Sequence, residues 1–128
     1  MRNEDDIGIN TLNWKEMNFL YNLIDLYLVT SRSEGGPNAI LESSWCKTMV
    51  FSSNVGIARD FLHPDCIYSD ILDAKDKILN FINNYNENKY SEMIKYNSDK
   101  VSELASFKIY KKRINSIYSN ILNKHLKL

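Results

Sequence analysis

Glycine and proline are scarce in this chain, with four and two among 128 residues. That excludes collagen-like and linker-rich polypeptides. Two cysteines, Cys46 and Cys66, are too few for a disulfide framework and show neither CxxC nor zinc-finger spacing. They read as buried thiols in a reducing compartment, hence in a cytoplasmic protein. No charge of either sign is in excess: sixteen basic side chains face sixteen acidic ones. Such a balance supplies no global field for nucleic acid and gives no indication of membrane association. No stretch reaches the roughly 18 apolar residues of a membrane span. The opening MRNEDDIGIN is polar and acidic, unlike a signal peptide. His63, Asp65 and Cys66 flank Pro64 in a bent loop and offer too few ligands for a structural metal site, so no metal is expected there.

What glycine and proline there is falls in one place. Gly35, Gly36 and Pro37 concentrate half of it between an apolar run, Leu26–Val29, and a helical pattern from Ala39 to Trp45. The run lacks alternation, which predicts a strand covered on both faces. Pro37 suits the first turn of a helix, where its missing N–H has no consequence. Asn13 with Glu16 has capping-box spacing and predicts a helix over Trp14–Leu23. Ile7 and Ile9 around Gly8 make a weak strand candidate. Met49–Phe51 and Cys66–Tyr68 read as further strands, with one or two helical turns over Ile57–Leu62. From about residue 70 the pattern is helical throughout. Asp70 or Asp73 can cap the first of these helices, a polar link spans Asn83–Lys89, and Ser106 can cap the last. Phe107, Tyr110, Ile114, Ile117, Ile121 and Leu122 form the strongest periodic stripe, a docking surface with Lys111–Arg113 on the opposite, solvated side. Strands alternating with helices imply an α/β fold, one domain over residues 1–128, with a parallel sheet of about three to four strands.

In an open parallel sheet, ligands sit beyond the carboxyl ends of the strands. The Ser31–Gly36 loop lies there, and the following helix aims its unpaired amides into the same space, a ready anion site. Glu34 in the loop and Glu42 in the helix are acceptors suited to vicinal hydroxyls. A helix N-terminus beside two hydroxyl acceptors describes a nucleotide sugar: ribose, diphosphate and hexose. His63 is expected at the surface and His125 in a frayed last turn.

These residues resemble the C-terminal donor-binding domain of the GT-B glycosyltransferases of retaining family four. The resemblance rests on Asp25 opening the apolar strand, Ser31-Arg32-Ser33-Glu34-Gly35 and Glu42. It continues through Val50–Gly56 with Asp60 and covers about residues 7–124. It implies a Rossmann-like partial domain with helices on both faces. It implies that Glu34 is the catalytic-site carboxylate that holds the transferred hexose. Gly35, Gly36 and Asn38 would present amides to sugar and diphosphate, and Glu42 would hold the ribose hydroxyls. No cofactor or metal is implied; the nucleotide sugar is the donor substrate.

The chain departs from the family pattern at Lys47, where glycine in a left-handed cap is usual, at Met49 in place of proline, and at Ile57 in place of a second glycine. The Arg–Lys pair that grips the diphosphate in the family has no counterpart in the matched region. The resemblance therefore implies a partner, a separate N-terminal glycosyltransferase half, or self-association of a marginally stable chain. The alternative is a non-catalytic interaction module that keeps the half-fold.

Overall fold

A computed structural model describes residues 12–125. The Ile7–Ile9 candidate lies outside them. The capping box forms: the Asn13 side chain accepts from the amides of Lys15 (2.9 Å) and Glu16 (3.2 Å), and Glu16 accepts from the Asn13 amide at 2.7 Å. It opens helix α1, Trp14–Leu23. Strand β1 (Leu26–Val29), helix α2 (Asn38–Trp45) and strand β2 (Met49–Ser53) follow. A short helix α3 (Ala58–Phe61) and a 3₁₀ turn (Pro64–Cys66) lead to strand β3 (Ile67–Tyr68). Helices α4 (Ile71–Asn84), α5 (Asn88–Ala105) and α6 (Phe107–His125) complete the order. The expected polar link shrinks because both flanking helices extend into it.

The three strands are parallel, in the order β1-β2-β3, with Leu26 opposite Met49 and Ser52 opposite Ile67. Strand β2 is central and buried at every position from Met49 through Ser52. Alternate side chains point to opposite faces, so both faces of β2 are covered by helices. Strand β1 departs from the expectation of full cover. Leu26, Tyr27 and Leu28 are only half-buried, because among the described residues β1 is an edge strand paired with β2 alone. The core gathers Ile40, Met49, Val50, Phe51, Leu62 and Cys66. Phe51 meets Phe81 of α4 edge-on at 6.3 Å, and Phe81 meets Tyr90 of α5 at 5.1 Å. Burial pushes the Cys66 thiol up to about 11, so it behaves as an inert core group.

Two local features hold the corners. Helix α2 ends with Lys47 at φ 62. Its amide reaches the Ser44 carbonyl at 3.1 Å, and the Thr48 amide reaches that of Ser43 at 3.0 Å. This paired closure is a Schellman ending, a place where glycine avoids the clash that a Cβ creates. The left-handed conformation anticipated for Lys47 is thus present. The second feature is Asn97, fully buried on α5. Its Oδ1 accepts from the His63 amide at 2.7 Å, and its Nδ2 donates to Cys66 Sγ at 3.5 Å. One side chain thereby satisfies the backbone at the corner between α3 and β3.

Lys47→Gly is expected to raise unfolding stability by about 1 kcal/mol by relieving the left-handed strain. Asn97→Ala is expected to lower it by about 2 kcal/mol, since the His63 amide is left without its acceptor. Urea midpoints at unchanged slope measure both, and no shift in either variant refutes the corresponding assignment.

Candidate functional site

The carboxyl ends of all three strands open into one cleft of about 1150 Å³. Thr30, Ser31 and Arg32 line it after β1, Ser53 and Asn54 after β2, and Ser69 and Asp70 after β3. Hydrogen bonds across the sheet fix this rim. The Ser53 hydroxyl donates to the Ser31 carbonyl at 2.7 Å, and the buried Tyr68 hydroxyl donates to the Val29 carbonyl at 2.6 Å. Gly56, at φ 48, brings the next turn against the β1–α2 loop. A Cβ there would stand 2.9 Å from the Glu34 carbonyl oxygen and 3.1 Å from Gly35. Only glycine fits both the conformation and the gap. Ile57 packs beside Gly36, within 3.7 Å of where a Cβ would project.

The charges of the cleft are unequal in what they are free to do. Asp70 caps α4, accepting from the amides of Leu72 (2.8 Å) and Asp73 (3.0 Å). Those bonds, the one from Asp73 foremost, hold its carboxyl below the usual range. Asp73 accepts from the Ser69 amide at 2.9 Å and pairs with Lys77 at 3.6 Å. Arg32 and Arg59 also line the cleft, are exposed, and form no ion pair among the described residues. Arg32 and Arg59 are thus the charged side chains of the cleft without a partner among the described residues. The amino end of α2 is also uncapped: Pro37 precedes the helix as its cap residue, and no side chain caps the first amides.

The residues singled out in the sequence are distributed as follows. Gly35, Gly36 and Asn38 are exposed along the loop and the start of α2. Glu34 is exposed, and its Oε1 accepts from the Ser31 hydroxyl at 2.6 Å, which places it beside the cleft. Glu42 lines a second groove of about 550 Å³, together with Trp14, Met17, Leu41 and Trp45. There its Oε2 accepts from the Tyr21 hydroxyl at 3.2 Å. Burial and the Glu42 charge both raise the Tyr21 pKa, so the phenol stays a donor. The two carboxylates thus engage different partners and line different surfaces. His63 is half-buried, accepts from the Asp65 amide at 3.2 Å and meets Tyr96 edge-on. Among the described residues no group of three or more His, Cys, Asp or Glu is arranged to hold a metal.

Arg32 and Arg59 are the site residues that sequence spacing did not single out. Arg32 lies inside the Ser-x-x-Glu-Gly motif, and Arg59 follows the Val-Gly turn. The signal for them was the pair of loops at adjacent strand ends.

A parallel sheet with a ligand-sized cleft beyond its strand ends is the architecture of an α/β ligand-binding domain. Residues 7–101 match the model of the family described as glycosyl transferases group 1, and the chain belongs to that family. Its fold and family place it with the enzymes that transfer glycosyl groups. No curated protein and no solved structure matches the chain.

Gly56→Ala is expected to destabilise the fold by about 1–3 kcal/mol, through a clash with the Glu34 carbonyl and a strained φ. Thermal unfolding measures it. A Tm equal to that of the unaltered chain would show that the contact does not constrain the loop.

Proposed function

We propose that the chain binds a nucleoside-diphosphate sugar and serves retaining hexosyl transfer to an acceptor held elsewhere, together with a separate N-terminal glycosyltransferase half. The observation that supports this most directly is the cleft at the strand termini, lined by the exposed Arg32 and Arg59. In transfer, the bond between the anomeric carbon and the diphosphate breaks and negative charge builds on the departing phosphate. The α2 amides with Arg32 and Arg59 stabilise that charge in a preorganised site. The arginines take the part that a basic pair plays elsewhere in the family. Glu34, held by Ser31, accepts from hydroxyls of the hexose, and the Gly35, Gly36 and Asn38 amides face sugar and phosphate. The ribose role that the resemblance implies for Glu42 is not part of this reading, because its carboxylate lines the groove beside Tyr21.

The separation of Glu42 from the cleft favours a second reading, a non-catalytic module that keeps the half-fold. Donor binding distinguishes the readings, since it belongs to the first and a protein partner to the second.

Titration calorimetry with UDP-glucose, GDP-mannose and ADP-glucose is expected to find one donor bound. Arg32→Gln and Arg59→Gln should each weaken it about tenfold, the worth of one charge-assisted hydrogen bond. Glu34→Ala should weaken the sugar nucleotide and leave the plain nucleoside diphosphate unaffected. Heat from none of the three donors overturns the reading.

A further inference from the structure

Strand β1 ends at Val29, opposite Ser52 of β2. Two positions further on, the Ser31 carbonyl is taken by a side chain: the Ser53 hydroxyl donates to it at 2.7 Å. Ser53 is itself anchored, because its backbone pairs with Tyr68 of β3. Ser31 passes the constraint on. Its own hydroxyl donates to Glu34 Oε1 at 2.6 Å. A hydroxyl has one proton to give, so that of Ser31 is committed to the carboxylate.

An exposed hydrogen bond between two free side chains holds little, because water competes for both partners. Here the donor stands on a carbonyl tied down from β2, so its place is set before the bond forms and less freedom is lost in making it. The backbone of Glu34 is set separately, by the pass of Gly56 against its carbonyl oxygen. Glu34 is thus held at its carbonyl and at one carboxylate oxygen. It is exposed, so the other oxygen, Oε2, is open to a ligand.

We propose that Ser53 is a positioning residue: acting through Ser31, it aims the Glu34 carboxylate so that Oε2 meets the hydroxyls of the bound sugar. The Ser53 proton is spent on the Ser31 carbonyl, so Ser53 is not a donor to the ligand. What the aimed carboxylate binds rests on the donor reading given above, whereas the aiming itself is a property of the chain without ligand.

The test uses the full chain with Ser53→Ala, and with Ser53→Thr, which keeps the hydroxyl. Three-bond NMR couplings of the Glu34 side chain read its χ1 rotamers. One dominant rotamer is expected in the unaltered chain and in Ser53→Thr, and averaged couplings in Ser53→Ala. Calorimetry with UDP-glucose, GDP-mannose and ADP-glucose, each beside its plain nucleoside diphosphate, supplies the second readout. Ser53→Ala should weaken the bound sugar nucleotide about fivefold and leave the diphosphate unaffected, with recovery in Ser53→Thr. In a Ser31→Ala background Ser53→Ala should add no further loss, since the route is already cut. Couplings in Ser53→Ala equal to those of the unaltered chain overturn the proposal. So does an equal weakening of sugar nucleotide and diphosphate, which marks a lesion of the fold, or a full further loss in the double variant. If no donor binds the unaltered chain, the donor reading falls and the couplings alone decide the role of Ser53.

Discussion

The close passage of Gly56 past the carbonyl of Glu34 is the constraint from which the cleft takes its shape. The turn after β2 would have to draw away from the loop after β1 if it carried a side chain at position 56. Glycine lets them touch, and the Ser53–Ser31 and Tyr68–Val29 hydrogen bonds lock the same rim across all three strands. The loop that presents Glu34, Gly35 and Arg32 is therefore braced from the neighbouring turn and does not depend on its own composition. A site on a braced loop loses less freedom when a ligand arrives, which is the physical content of preorganisation.

Much of the fold was legible in the chain because local signals agreed with one another. Asn13 and Glu16 are three apart and formed their reciprocal cap. Leu26–Val29, Met49–Phe51 and Cys66–Tyr68 are apolar runs too short for helices. The left-handed Lys47 was visible as a departure from glycine at a helix end. What failed locally failed for a tertiary reason. The Leu26–Leu28 run carries the composition of a covered strand, yet its cover depends on a neighbour on the far side of β1, and among the described residues β2 is its only partner.

The candidate site was legible in a different degree. The strand-end position of Ser31–Gly36 and the free amino end of α2 follow from element order. Arg32 and Arg59 do not, because they are 27 positions apart and only the Gly56 turn brings their loops side by side. Glu42 shows the limit from the other direction. Its spacing from Glu34 placed it on the right helix, but one turn of helix decides which side it serves, and Tyr21 on α1 draws it toward the aromatic groove. The same holds for Asp70 and Asp73: acidic in the sequence, they are spent on the backbone in the fold.

Asn97 binds α5 to the corner that precedes β3 by replacing water at a buried amide and a buried sulfur. That replacement works only when helix and corner are both in place. Either one departing alone would strand polar atoms in an apolar setting, so the penalty falls on any half-open state. The segment from His63 to Cys66 and the middle of α5 should accordingly open and close as one cooperative block, although more than thirty positions of chain lie between them.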